Sequence, residues 1–217
     1  MKYKIFLLVV FASVWIWSAH QPLYPHDWLL ENYLVFAWVP VILLSGRYFK
    51  LSNISYTLIT VFMCLHLIGA HYTYAEVPFG DTLKDWFNAD RNMYDRLVHF
   101  SYGFLLAYPI REVFIRLAKA RGFWSYFFPV DITFFFFAVY EIIEWRSAAK
   151  VSPELGLAFL GSQGDIWDAQ KDMLLAGIGS IITMCIVFMI KAYFDRKGTF
   201  KELRESFTIP HNDIPLG

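Results

Sequence analysis

Apolar residues fall in six blocks along the chain, at roughly 5–19, 29–46, 54–75, 96–117, 125–145 and 173–194, and polar residues are swept into the segments between them. A membrane-spanning helix needs about 20 predominantly apolar residues, fewer where its ends reach the headgroups. The pattern predicts an all-α polytopic membrane bundle of six transmembrane helices, with one membrane domain over 1–197 and a short cytoplasmic tail over 198–217. The first block is short and follows Lys2 and Lys4, as the core of a secretory signal peptide would. Trp15 and Trp17 stand where a cleavage site would need small residues, so this block reads as a retained anchor with interfacial tryptophans.

Basic residues give the direction. Thirteen Lys and Arg lie at the N-terminus, around 47–50, across 111–121 and beyond 190, against six on the other side: Lys84, Arg91, Arg96, Arg146, Lys150 and Lys171. Cytoplasmic loops carry the excess of positive charge. Both termini are therefore expected in the cytoplasm, and 20–28, 76–94 and 146–172 face outward, toward the periplasm of a Gram-negative cell. The last two outer segments are long for helix connections, which usually run about 2 to 8 residues, and long loops often carry function.

Composition agrees with a bilayer: 57% of residues are hydrophobic and the mean hydropathy is +0.42, where a soluble domain has about 45 to 50% apolar residues. Nineteen basic and nineteen acidic residues leave no net charge, so nothing suggests a nucleic-acid partner. Cys64 and Cys185 sit inside apolar blocks without CxxC spacing and read as small core residues. The Asn53-Ile54-Ser55 sequon falls on the cytoplasmic side, where it has no meaning.

Against that background nine ionisable residues stand out at or near the outer ends of the blocks: His66, His71, Asp95, His99, Glu141, Glu144, Asp165, Asp168 and Asp172. A charge at a helix centre in lipid costs roughly 2.5 to 3.5 kcal/mol on insertion scales, so such a cluster is by default a functional site. Asp95 and His99, four apart, share a helix face. The pair suits an imidazole oriented for proton transfer or a metal ligand with a supporting carboxylate, although an acid at a helix start also complements the dipole. Glu141 and Glu144, three apart, suit a general acid or a proton carrier, with Arg146 as the alternative structural neutraliser. Asp131, ten residues earlier, is expected to pair with a basic cytoplasmic group. Asp165, Asp168 and Asp172 form one stripe if their segment is helical. These acids suit Mg²⁺, Mn²⁺ or Ca²⁺, and the histidines draw the preference toward Zn²⁺ or Fe²⁺; the candidate metal set is Asp168, Asp172 and His99. His66 and His71 lie about 140° apart around their helix. His66 reads as a hydrogen-bonded core residue, and His71, closer to water, as the better candidate for the polar site. Gly177 and Gly179, with Ala176 and Ser180, give the last helix a small face for close packing that draws its acidic end against the two helices before it.

In this order the residues resemble the YjdF-like inner-membrane proteins, a bacterial family of uncharacterised function, over most of the spans. Residues 92 to 180 also resemble the VanZ-like pattern. Asp95-Arg96 with His99-Phe100 opens one helix, Glu141 and Glu144 close the next, and Gly164-Asp165, Asp168 and Asp172 precede a Gly-rich helix. VanZ-like proteins are associated with glycopeptide (teicoplanin) resistance, which implies a cell-envelope role. Gln163-Gly164 stands where many VanZ-like chains carry an Arg, and the last helix has no Asn, so neither the phenotype nor any catalytic role is carried over.

Three functions compete at this point. One is a membrane-embedded enzyme acting on a lipid or cell-envelope precursor at the outer leaflet, with Glu141 or Glu144 as acid or base and His99 oriented by Asp95. Another is a proton- or cation-coupled transporter, which lacks the broken-helix repeats and midplane charges usual for such folds. The third is a non-catalytic scaffold or partner subunit whose polar cluster locks helices together. Membrane lipids are the expected partners.

Overall fold

The computed structural model describes residues 2–150, 160 and 162–208. Among these the regular structure is helical throughout: α1 (Lys2–Ala19), α2 (Pro25–Ser45), α3 (Asn53–Tyr72), α4 (Pro78–Phe87), α5 (Tyr94–Arg116), α6 (Trp124–Ala148), α7 (Asp168–Phe194) and α8 (Arg196–Glu205). Helices α1, α2, α3, α6 and α7 are long and apolar enough to cross a membrane. Helix α5 is as long, at 23 residues, but carries Asp95, Arg96, Arg111, Glu112 and Arg116 toward its two ends. It packs against α3, α6 and α7, so much of its surface meets protein and need not be apolar.

Large apolar side chains such as Phe6, Val9, Leu43, Phe135, Ile142, Ile181 and Met189 are exposed, whereas Ser18, Asn32, Ser101, Thr133 and Ser180 are buried. That inversion of the soluble pattern is what lipid contact requires: lipid tails give helices no hydrophobic reason to associate, so small and polar residues make the interfaces. The protein is an all-helical membrane protein. Cys64 is half-buried, while Cys185 is exposed on α7 and not in the core.

Helices α5 and α7 make the most intimate pair, because glycine stands on both. A Cβ on Gly179 would fall 2.4 Å from the Phe100 carbonyl oxygen, closer than any side chain tolerates. One turn on, Thr183 donates its hydroxyl to the Phe104 carbonyl at 2.5 Å. The small face of α7 is thus used for packing, and it sets the start of α7 beside the start of α5.

The connections sort into two ends. At one end Tyr3 bonds Thr57, Lys4 reaches the Leu51 carbonyl, Arg116 donates to the Lys50 carbonyl at 2.6 Å, and Phe123 N–H donates to Ser206. Buried Glu112 anchors that end by accepting from Ser52 N–H at 2.8 Å and from the Ser55 hydroxyl, tying the start of α3 to α5. At the other end Leu23 N–H donates to the His71 carbonyl, Tyr24 to Glu76, and Asn92 pairs with Gln163.

Two segments read as irregular from the sequence are partly helical. The outer segment 76–94 contains α4, opened by Pro78 at its first turn and closed by Asn88 in the left-handed conformation (φ 49°). Gly80 of α4 leaves room for Asn92, whose side-chain amide donates to the Val77 carbonyl and Asp81 and whose oxygen caps α5 at Tyr94 N–H. The tail contains α8, held to α7 by Lys191 and Glu202 at 2.5 Å. Asp131 is exposed on α6 and makes no ion pair among the described residues, so the expected basic partner is not found. Part of the outer segment 146–172 and the end of the tail lie outside the described residues.

Candidate functional site

The start of α5 and the start of α7 each offer two acids or bases one turn apart: Asp95 and His99 on the first, Asp168 and Asp172 on the second. The turn before α7 adds Asp165. Its carboxylate accepts from Trp167 N–H at 3.0 Å, and its carbonyl accepts from Asp168 N–H. Asp165 therefore precedes the helix, and the stripe read from the sequence is helical only at Asp168 and Asp172. The Lys171 ammonium at 2.6 Å and the Trp167 amide hold the Asp165 carboxyl below the usual aspartate range.

Arg96 nevertheless gathers all three aspartates. Its Nη2 donates to Asp168 Oδ1 at 2.6 Å and to Asp165 Oδ2 at 3.1 Å, and its Nη1 closes on Asp172 Oδ1. Arg91 bridges Asp168 to Asp95, the latter at 3.1 Å. A guanidinium presents five donors in a rigid planar fork, which lets it reach several carboxylates at once in fixed directions, where an ammonium is a compact point charge. His99 lies between the two helices, its Nδ1 2.8 Å from Asp172 Oδ1 and its Nε2 3.6 Å from Asp95 Oδ1. Phe137 of α6 packs edge-on against the imidazole at 4.9 Å.

Helix α6 supplies the remaining wall. Glu141 and Glu144 line a cavity of about 290 Å³ together with Asp95, His99, Asp165, Asp168 and Asp172. Arg146 lies over the Trp145 ring and makes no ion pair with either glutamate among the described residues. A second cavity of about 20 Å³, room for one water, shares Asp95, His99 and Glu144 with the first and adds Glu31, Tyr74 and Tyr140. Tyr140 donates to Glu31 Oε2 at 3.1 Å.

Tyr74 reaches this place by a local device. Thr73 and Tyr74 both adopt left-handed backbone (φ 58° and 54°), and Tyr74 N–H returns to the Gly69 carbonyl at 2.8 Å. The chain folds back over α3, and because Gly69 has no Cβ the Tyr74 ring can lie on it. Its hydroxyl meets His66 Nδ1 at 2.6 Å while His66 Nε2 faces the Glu31 carbonyl at 3.2 Å. A carbonyl only accepts, so Nε2 carries the proton and Nδ1 accepts from Tyr74. A phenol keeps its proton at neutral pH and is the donor. His66 is thus a satisfied interior histidine.

The structure brings together Asp95, His99, Glu141, Glu144, Asp165, Asp168 and Asp172. It places His71 elsewhere: the ring stacks on Trp17 at 4.5 Å, Nδ1 bonds the Ser18 carbonyl at 3.0 Å, and His71 lines neither cavity. Of the candidate metal set, Asp168 is occupied by two guanidiniums, and the donor atoms that lie within 4.8 Å of one another belong to Asp95, His99 and Asp172. Sequence reasoning gave Arg91 and Arg96 no part in the site, counting both for topology and quoting Arg96 only within the Asp95-Arg96 pattern, because the aspartates they meet at Asp165 and Asp168 lie 69 to 77 residues away. It also missed Glu31, an acid three residues inside an apolar block. Nothing in the sequence points to Tyr74, because its position depends on the fold-back turn.

The chain matches the family described as predicted membrane protein (DUF2238) over residues 3–193. The chain belongs to that family. It is also similar to the inner membrane protein YjdF of Escherichia coli (strain K12), 34% identical over 186 residues that cover 85% of each chain. No solved structure matches. The DUF2238 match spans every residue of the polar cluster and nearly all of α1–α7, and leaves out α8. With five helices fit to cross a membrane among the described residues, the protein is a multi-pass inner-membrane protein.

Proposed function

We propose that the cavity between α5, α6 and α7 is an acid–base active site acting on an amphiphilic cell-envelope molecule, a lipid or lipid-linked precursor, at the outer face of the membrane. The observation that carries this reading is the convergence of Asp95, His99, Glu141, Glu144 and Asp172 on one cavity of about 290 Å³. Such a volume is near the lower bound of small-molecule sites, about 300 Å³, and matches a headgroup better than a whole lipid. The bilayer around the bundle would hold the acyl part.

His99 is the group to exchange protons with a bound hydroxyl or water, held in register by Asp172 and Asp95. Glu141 or Glu144 serves as its counterpart on the facing wall, taking or returning the proton at the leaving group. Arg91 and Arg96 are positioning residues: they fix the aspartates that orient His99. The outward placement rests on six crossings with both termini in the cytoplasm, which the basic excess at the opposite end of the bundle supports. A purely structural lock explains Arg96 and its three aspartates, but not Glu141 and Glu144, which line the cavity without an ion pair among the described residues.

A strain lacking the gene, compared by mass spectrometry of envelope lipids and lipid-linked precursors, tests the reading. The wild-type chain is expected to restore the profile, and His99→Ala and Glu144→Gln to fail while reaching the membrane in normal amount. Restoration by both variants would sink the proposal.

A further inference from the structure

We infer that α4 is an interfacial helix: its aromatic edge, Phe79, Trp86 and Phe87, inserts into the lipid headgroup layer at the cavity end of the bundle, and the cavity beside it opens onto lipid. The seating of α4 stands on its own, whereas the route it gives a substrate rests on the proposed function. What α4 exposes is the first argument. Phe79, Trp86 and Phe87 are 48%, 71% and 69% exposed in a helix of ten residues. Gly80 and Leu83 are buried against the bundle; Phe79 and Trp86 run along one flank of them, ring centroids 6.3 Å apart, and Phe87 projects at the helix end. At about 100° per residue, Asp81, Lys84, Asp85 and Asn88 fall on the opposite side. Aromatic side chains present about 150 to 250 Å² each, and a patch of several such rings marks contact with a partner or a membrane.

The way α4 is tethered selects lipid. Met93 N–H donates to the Gly80 carbonyl at 3.1 Å, and the Asn92 side chain donates to the Val77 carbonyl and Asp81 while capping α5 at Tyr94. Helix α4 therefore lies against the first turn of α5, a helix of 23 residues, and is held at the level where a helix of that length enters the bilayer. Exposed tryptophans at the same end mark that level: Trp17 in the last turn of α1, Trp145 in the last turn of α6 and Trp167 just before α7. Indole rings gather where apolar and wet surroundings meet. An aromatic edge at that depth already has the headgroup layer beside it. The polar side of α4 carries Asp81 and Asp85 against Lys84, so apolar contact, and not attraction to anionic lipid, seats the helix.

The same frame reaches the cavity. Asn92 N–H donates to the Gln163 side-chain oxygen at 2.9 Å, and the Gln163 amide donates back to the Asn92 carbonyl at 3.2 Å. Just beyond Gln163, Ile166 and Trp167 are exposed, and Ile166 lines the cavity. The apolar lip of the cavity and the aromatic edge of α4 thus hang on one hydrogen-bonded frame. An amphiphile whose chains lie in the bilayer reaches the acid–base groups from the headgroup layer, without crossing water.

The full-length protein with Cys64 and Cys185 replaced by alanine, carrying Phe79→Cys, Phe87→Cys, Ile166→Cys or Asp85→Cys in turn, is spin-labelled and reconstituted in phosphatidylcholine nanodiscs. Collisions of the label with oxygen, which concentrates in lipid, are compared with collisions with a water-soluble nickel chelate. The oxygen-to-nickel ratio is expected to be severalfold higher at 79, 87 and 166 than at 85, on the polar side of the same helix. Ratios at 79 and 87 equal to that at 85 put the edge in water and overturn the inference, as does a label there that neither reagent reaches, which would mean that protein covers it. A ratio at 166 equal to that at 85 overturns the opening of the cavity onto lipid. Unlabelled wild type in phosphatidylcholine vesicles brominated near the top of the acyl chains gives a second measurement: the quenched share of tryptophan emission is expected to fall in Trp86→Phe, and an unchanged share counts against insertion. Neither readout involves a substrate, so an inserted edge, beside an envelope profile that His99→Ala restores in full, would keep the interfacial helix and remove the catalyst.

Discussion

Gly103 of α5 stands so close to the Ala176 carbonyl of α7 that a Cβ on the glycine would lie 1.8 Å from that oxygen. The obstacle is backbone, which cannot step aside as a side chain can. Gly103→Ala must therefore push the two helices apart. Overpacking typically costs about 1 to 3 kcal/mol, and this site belongs at the upper end. At Gly177 the added methyl meets only the end of the Phe134 ring, which can turn away. Thermal unfolding in detergent is expected to show Gly103→Ala clearly less stable than Gly177→Ala. Equal stabilities would mean that α5 and α7 are not locked by this contact. The separation also misaligns His99 with Asp172, so Gly103→Ala is expected to weaken whatever the cavity binds.

Arg96 holds three aspartates with a side chain only 8% exposed. Removing one partner from a buried ionic cluster leaves charge without compensation, at a cost of about 3 to 5 kcal/mol. Arg96→Ala is expected to lose stability on that scale. Arg96→Lys keeps the charge but loses the fork, and should fall between the two. Chemical or thermal unfolding of purified protein measures both, and an Arg96→Ala variant as stable as wild type would show that the aspartates find other partners.

These two residues illustrate what the sequence holds. The apolar blocks announce the long helices because lipid demands a continuous run of apolar side chains, and the glycines of α7 announce a close neighbour because only a backbone approach requires them. The acids at the ends of α5, α6 and α7 are visible because charge beside hydrocarbon is rare. Their assignments are less legible, because which aspartate meets which arginine depends on a turn at 162–165 and on a fork that reaches across helices. Arg96 looked like a topology signal, yet it is the centre of the cluster. His71 looked nearer to water than His66, and is; its ring is nevertheless turned toward Trp17, since residues five apart leave a helix in different directions. Glu31 approaches the site from α2, 109 residues before the Tyr140 that it meets, a proximity that no spacing rule encodes.

Asp165 gives the cluster a pH dependence with a definite sign. Hydrogen bonds from Lys171 and from the Trp167 amide hold its carboxyl below the usual aspartate range in the folded protein. The unfolded chain thus binds this proton more readily than the folded one. The resulting stabilisation is complete above the ordinary aspartate value, about 3.9, and is lost as pH falls through the lower folded value. The group is near solvent, so the effect is small. Asp165→Asn is expected to lower the melting temperature slightly in the neutral region and to flatten the acid limb, so that the two profiles converge as pH falls below about 4. A variant whose acid limb superimposes on that of wild type would show that Asp165 does not contribute.

The orientation of the bundle can be read from two short helices at opposite ends. Helix α4 joins the end that carries the polar cavity, through Asn92 and Gln163, while α8 joins the end where Phe123 meets Ser206. Basic residues concentrate at the second end, which the excess of positive charge in cytoplasmic loops predicts to be the cytoplasmic one. Asp85 on α4 and Lys201 on α8 are both exposed and suit cysteine labelling. With Cys64 and Cys185 replaced by alanine, Asp85→Cys is expected to react with a membrane-impermeant maleimide added to cells with a permeable outer barrier. Lys201→Cys is expected to react only after the inner membrane is broken. The reverse pattern would turn the cavity toward the cytoplasm and exclude substrates confined to the outer leaflet. Labelling of both sites in unbroken cells would require an even number of crossings between 85 and 201, which would take α5, the most charged of the long helices, out of the membrane-spanning set.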